Sequence, residues 1–242
     1  ILYSVNSWNN SFYNHTNENA EDFKIDISES LETQNWKPFI SAKDEVLIGG
    51  CIFLKNWIIR SEVSNALDKL FVKNISNNEL VTKKILDTSG SITFSLDDKY
   101  IFYSKLDKNH RARKIYRHKI GNFDDEDELI FEEKSEAFTV SISLSSDEKY
   151  YFISTSDHNT SEQYYFNVDE KKPLPKLIKK RQKGILYSVN SWNNSFYNHT
   201  NENAEDFKID ISESLETQNW KPFVSAKDEV LIGGCIFLKN WI

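Results

Sequence analysis

The chain has no methionine, not even at residue 1, and only two cysteines, four prolines and seven glycines in 242 residues. Each shortage excludes something. Two cysteines cannot make the multi-bridge framework of a small secreted domain, so a reduced, cytoplasmic setting is expected. With so few prolines and glycines, tight turns must rest on Asn, Asp and Ser, which tolerate left-handed backbone and bond their own main chain. The longest apolar run, Val46 to Leu54, holds two glycines and is too short to span a bilayer. No charged segment followed by an apolar one opens the chain, so no leader peptide is expected. From a start without methionine, a fragment or an internal piece of a longer translation is expected. Cations are too few for nucleic acid: the net charge is −7, whereas phosphate binding needs clustered Lys and Arg. Among those cations lysine outnumbers arginine 25 to 5.

What is present is a repeat. Residues 1–58 return as residues 185–242 with one difference, Ile40 against Val224. A near-identical copy implies recent duplication, because old structural repeats keep pattern and lose identity. Inside this long period lies a shorter one. Strand-like openings recur at Ile1, Glu45, Ser91, Phe138, Ile185 and Glu229, at spacings of 44, 46, 47, 47 and 44. The first four spacings make up the 184-residue offset of the copies. Repeats of 40–50 residues without helical periodicity indicate β-propeller blades.

The expected fold is therefore all-β: a propeller or partial propeller of about five four-stranded antiparallel blades plus part of a sixth. The blades are placed at 1–44, 45–90, 91–137, 138–184 and 185–228, with a partial blade of two strands at 229–242. The unit from Ser91 shows the pattern best. Ser91–Leu96 reads as a strand, Asp97-Asp98-Lys99 as a turn, Tyr100–Leu106 as a second strand. Arg113–Ile120 reads as a third strand near an edge, and Glu128–Glu132 closes the blade. The only stretch that could coil is Asn65–Leu70 and its like.

Several motifs carry a resemblance. They are Asp87-Thr88-Ser89-Gly90-Ser91, Ile115-Tyr116-Arg117-His118-Lys119-Ile120-Gly121, and Asp127-Glu128-Leu129-Ile130-Phe131-Glu132-Glu133-Lys134. Asn159-Thr160-Ser161-Glu162, Tyr187-Ser188-Val189 and Trp57-Ile58-Ile59-Arg60-Ser61-Glu62 add to them. Together they resemble the N-terminal β-propeller of the oligopeptidase B (protease II) branch of the prolyl oligopeptidase family of serine peptidases. The order departs from the family. The segment resembling the later part of that propeller opens the chain, the earlier part follows, and the later part restarts. The join falls near residues 80–88.

The resemblance implies hydrolysis of short peptides after basic residues, with the propeller limiting access. It also implies a Ser-His-Asp triad on a C-terminal α/β-hydrolase domain, the propeller's expected partner. That triad needs a G-x-S-x-G elbow. None of Gly49, Gly50, Gly90, Gly121, Gly184, Gly233 and Gly234 flanks a serine in that spacing. The chain alone is expected to be inactive, and no catalytic, cofactor-binding or metal residue is assigned. Other readings are a stand-alone propeller binding a protein or peptide, and a duplicated gene remnant.

Candidate chemistry elsewhere is weak. His110, His118 and His158 lack zinc-ligand spacing and are expected to be exposed strand or loop residues. The acidic run Asp124–Glu128 lacks the D-x-D-x-D-G calcium pattern and reads as a solvated loop. The basic run Lys179–Lys183 reads as a solvated connection between blades. The sequon Asn74-Ile75-Ser76 matters only in a secreted protein. Six tryptophans, all in the copied segments, are assigned to packing between blades.

Overall fold

The computed structural model describes residues 1–33, 35–74, 83–121, 127–238 and 242. No helix occurs among them. The chain divides into two compact units, residues 1–90 with 120–125, and residues 91–119 with 126–242.

In the first unit, β1 (Tyr3–Trp8), β2 (Ser11–Thr16), β3 (Lys24–Ser28) and β4 (Lys37–Ile40) form an antiparallel sheet in chain order. The hairpin between β1 and β2 turns on Asn9 and Asn10, both at positive φ (48° and 59°). Two consecutive left-handed residues are what a two-residue hairpin needs for its twist to match the strands, and asparagine supplies them cheaply. A second sheet follows with β5 (Leu47–Phe53), β6 (Trp57–Ser64) and β7 (Leu67–Asn74). The stretch that could have coiled is its second hairpin: Asn65 and Ala66 both take positive φ (55° and 60°).

The strand β8 (Lys83–Phe94) runs through the unit boundary. Its first part pairs with β7, Leu70 opposite Ile85. The out-of-order join thus continues from Lys83 as one strand, while its start, Leu80 to Thr82, lies outside the described residues. Tyr13, Ile25 and Ile48 form the core between the two sheets of this unit, with Trp8, Phe39 and Phe53 against them.

In the second unit the strands are β9 (Tyr100–Leu106), β10 (Ala112–Lys119) and β11 (Glu128–Glu132). They are followed by β12 (Thr139–Leu144), β13 (Tyr150–Ser156), β14 (Ser161–Asn167) and β15 (Lys176–Lys179). The last four are β16 (Tyr187–Trp192), β17 (Ser195–Thr200), β18 (Lys208–Ser212) and β19 (Lys221–Val224). The sheets β12–β15 and β16–β19 are four-stranded and run in chain order. The strand β10 lies between β9 and the edge strand β11, near an edge as its sequence suggests.

The turns before β9 and β13 share one device. In each, a serine hydroxyl donates to the Asp two residues on, Ser95 to Asp97 at 2.7 Å and Ser145 to Asp147 at 2.9 Å. The same hydroxyl accepts from the first amide of the next strand, Tyr100 or Tyr150. Asp98 and Glu148 take the positive φ between them. The core packs between consecutive sheets. Phe102, Ile115, Ile142, Tyr151, Ile153 and Phe166 fill one interface. Phe152, Tyr165, Ile178, Tyr187, Val189 and Leu215 fill the next.

The partial blade at the C-terminus departs from expectation. Residues 231–237 repeat β5 in sequence yet form no strand; only a lone bridge, Lys227 to Val230, precedes them. The reason is the partner. The strand β5 pairs with β6, and this chain repeats only the first two residues of β6, as Trp241 and Ile242. Strand backbone needs a ladder for its N–H and C=O groups, and propensity alone does not supply one. The glycines show the same difference. A Cβ on Gly49 would lie 2.0 Å from the Ser61 hydroxyl, whereas one on its copy Gly233 would meet nothing.

The two cysteines sit in this repeated segment, and both are free thiols. Cys51 lies in the ladder opposite Arg60. Burial pushes its thiol up to about 12, with the Arg60 charge pulling weakly the other way. Burial also raises Cys235, which lies outside any strand. Both are protonated at neutral pH, Cys51 the more firmly. A disulfide reagent at pH 8 is expected to modify Cys235 at least about tenfold faster than Cys51, because the thiolate is the reacting form. Mass mapping of the modified peptides checks this; equal rates would contradict it.

Candidate functional site

A cleft of about 440 Å3 in the second unit lies between the β9–β11 and β12–β15 sheets. Tyr100, Phe102, Arg117, Tyr151 and Phe166 form its walls, with Asp97 and Lys99 at the rim. Arg117 is the one guanidinium lining it, and three hydrogen bonds hold it. Its Nε donates to Glu128 Oε2 at 2.9 Å, a second nitrogen donates to the same oxygen, and it also reaches the Lys171 carbonyl at 3.0 Å. The guanidinium stacks over the Tyr100 ring at 4.5 Å. Tyr151 donates its hydroxyl to the Phe94 carbonyl at 2.8 Å. Burial, then the Asp97 and Glu148 charges, push its phenol up to about 12. Aromatic rings and charged side chains share the lining, and Arg117 is paired with Glu128 and Lys99 with Asp97.

A second cluster joins three elements. Arg181, in the connection after β15, donates to Glu133 Oε2 at 2.6 Å and to Glu162 Oε2 at 2.7 Å. Its plane covers the Phe138 ring at 4.1 Å. Both carboxylates are buried. Burial raises the Glu133 carboxyl. The Ser135 amide, the Thr155 hydroxyl and the Arg181 guanidinium outweigh it and hold the group below the usual carboxylate range. The expected solvated basic connection is therefore a correction: its arginine is locked into a buried ion network. Lys179 likewise pairs with Glu202 at 2.5 Å. The fork of Arg is what lets one residue hold two carboxylates.

The histidines divide. His110 and His158 are exposed, as expected, but His118 is buried, which corrects the reading of it as an exposed strand residue. Its Nδ1 lies 2.8 Å from Asp127 Oδ1, and Tyr103 donates to Asp127 Oδ2 at 2.7 Å. The buried Nε2 of the same ring has no hydrogen-bond partner among the described residues. This is the orientation of a base and its orienting carboxylate, but the site is sealed from solvent, so it cannot receive a substrate. Asp127 also corrects the solvated-loop reading at the end of the acidic run; Asp124 to Glu126 lie outside the described residues.

Among the described residues no group of three His, Cys, Asp or Glu side chains could hold a metal ion. Four tryptophans pack as expected. Trp8 and Trp192 stack on Phe53 and Phe237, Trp57 lies over Gly121, and Trp220 joins the core between β12–β15 and β16–β19. Trp36 instead borders an open hollow, and Trp241 lies outside the described residues. Ile75 and Ser76 of the sequon lie outside them too. The Arg181 and Asp127 clusters thus tie strands of the second unit together.

Residues 68–242 match the family described as prolyl oligopeptidase, N-terminal beta-propeller domain. The chain belongs to the prolyl oligopeptidase family. The match takes in only the second of the two copied segments and leaves residues 1–67 outside. Protease 2 of Moraxella lacunata is 30% identical over 179 residues, which are 68% of this chain and 26% of that protein. Dipeptidyl aminopeptidase BI of Pseudoxanthomonas mexicana is 24% identical, over 67% of this chain and 23% of its own. The chain thus spans about a quarter of the length of the curated relatives it matches. Among solved structures, oligopeptidase B from Leishmania major superposes with a TM-score of 0.79 at 18% identity, over 95% of this chain and 35% of that one. Oligopeptidase B from Trypanosoma brucei with covalently bound antipain, in closed form, gives 0.78 at 16% identity, over 96% and 35%. These structural likenesses concern the fold. The prolyl oligopeptidase propeller region described here is all-β and is similar to that of oligopeptidase B.

Proposed function

We propose that this chain is the propeller part of a serine oligopeptidase of the oligopeptidase B kind. The propeller restricts an α/β-hydrolase domain to short peptides, which that domain cleaves after basic residues. The observation that carries the reading is that the family match is to the propeller alone and covers 68–242. A 30% identical protease supports it. So does the sequence, in which no glycine pair brackets a serine as a nucleophile elbow requires. On this reading the chain by itself is inactive, needs no cofactor, and works in the cytoplasm, where its two free thiols stay reduced.

Two measurements test it. The purified 242-residue chain is treated with a fluorophosphonate probe and with a peptide carrying one Arg cleavage site. Neither labelling nor turnover is expected, and either one would refute inactivity. The coding locus is then read across both copies of the repeat. A downstream hydrolase domain with a G-x-S-x-G elbow in the same frame supports the peptidase reading. A locus without one points to a remnant of the duplication.

A further inference from the structure

The cleft between the β9–β11 and β12–β15 sheets is built by residues 95–171 of the second unit. Its volume of about 440 Å3 lies in the ordinary range of ligand sites, about 300–1,000 Å3. The floor is a set of rings. Phe102 and Tyr151 stand 4.7 Å apart, and Tyr151 stacks on Phe166 at 5.1 Å. None of the three is more than 2% exposed, so packing fixes the floor whatever enters above it.

Arg117 closes one side. Its side chain is only 9% exposed, and the stack on Tyr100 fixes its plane. Glu128 and the Lys171 carbonyl take its Nε and Nη2. Its Nη1 makes no hydrogen bond among the described residues, nor is it among the atoms sealed from solvent without a partner. Arginine keeps all five of its N–H protons, so Nη1 offers two donors to the cleft. The acceptors of the lining are better filled. Glu170 accepts from the Asn167 and Leu174 amides, and Asp97 accepts from Ser95 and pairs with Lys99. Asp169 and Lys171 are both exposed at the rim, where water serves them. The unfilled group that is shielded from water is thus a cationic donor, and shielding makes such a donor worth more to a ligand.

We propose that this cleft binds a carboxylate carried next to an aromatic ring. The ring lies against Phe102 and Tyr151, and the carboxylate accepts from Arg117 Nη1 with the Lys171 ammonium beside it. The last residue of a peptide and a free aromatic acid share this chemistry. Binding buries apolar surface on a floor that is already ordered, so little side-chain freedom is lost. The proposal does not depend on the peptidase reading.

The test titrates the 242-residue chain with N-acetyl-tryptophan, with its uncharged amide and with the tripeptide Ala-Ala-Trp, followed by calorimetry. The acid is expected to bind with a Kd of about 0.1–1 mM, at least about tenfold tighter than the amide. A tripeptide that matches the acid assigns a chain end as the ligand; one at least about tenfold weaker assigns the small acid. Lys171→Glu alters an exposed side chain and is expected to weaken the acid about tenfold and leave the amide unmoved. Arg117→Met is expected to abolish the preference for acid over amide. It also loses the bonds to Glu128 and Lys171, so thermal unfolding first establishes that it folds; if it does not, Lys171→Glu decides alone. Equal binding of acid and amide, or no saturation by the acid below about 10 mM, overturns the proposal. So does a preference for the acid that is unchanged in Lys171→Glu.

Discussion

Arg181→Met is expected to destabilise the second unit by about 3–5 kcal/mol at pH 7, the usual cost of removing one partner from a buried ion network. Glu133 and Glu162 are both buried, and Arg181 is the cation between them. Its loss leaves two carboxylates facing each other in a poorly solvated space. The pH dependence gives the effect a signature. The Glu133 carboxyl is held below its ordinary value of 4.5 in the folded chain. The stability it contributes is therefore present above that value and lost as pH falls through the folded pKa. In the variant, burial and repulsion favour protonation instead, so acid relieves it. The gap between the two proteins should narrow below about pH 4.5 and be widest near neutrality. Urea unfolding at pH 7 and pH 4 measures this. A gap that is small at pH 7, or that grows in acid, would show that Arg181 is only a surface cation.

Tyr187→Ala is expected to cost about 3–5 kcal/mol, while Tyr3→Ala, in an identical local sequence, stays within about 0.5 kcal/mol. Tyr187 fills the interface with Phe152, Tyr165 and Ile178. Its hydroxyl joins the Gln163 amide to the Lys179 carbonyl, and truncation leaves both without that partner. The exposed Tyr3 has no comparable contacts to lose. Denaturant unfolding compares the two. Equal effects would mean that the stability of this sheet is set within the sheet and not by its neighbour.

Much of the fold was legible because it is local. Alternation of β-branched and aromatic residues marked β9 and β11 at their observed limits. The Ser-x-Asp turns and asparagine hairpins are made by residues two to five apart, within reach of sequence reasoning. The motif set likewise sufficed for the family. His118 was misjudged because alternation in β10 gives it one face, whereas burial depends on what covers that face. Arg181 was misjudged because a basic run reads as solvated until Glu133 and Glu162 are brought to it from 48 and 19 residues away. One signal was available. In a chain of 25 lysines the five arginines are conspicuous. Arg60, Arg111, Arg113, Arg117 and Arg181 all donate hydrogen bonds to side-chain or main-chain oxygens in the fold. A lysine-rich composition makes each remaining guanidinium a marker for fork geometry.

The repeat separates the two kinds of information within one chain. Sequence alone determined the strands β1–β4 and β16–β19, their hairpins and their register, which are identical in both copies. Hydrogen bonds and turns within a contiguous segment do not depend on what lies beyond it. Tertiary structure decided whether Tyr3 and Tyr187 are exposed or buried, and whether Leu47–Phe53 or its copy at 231–237 becomes a strand. Burial and ladder pairing are properties of a surface and its partner, and the same residues fold differently where the partner is missing.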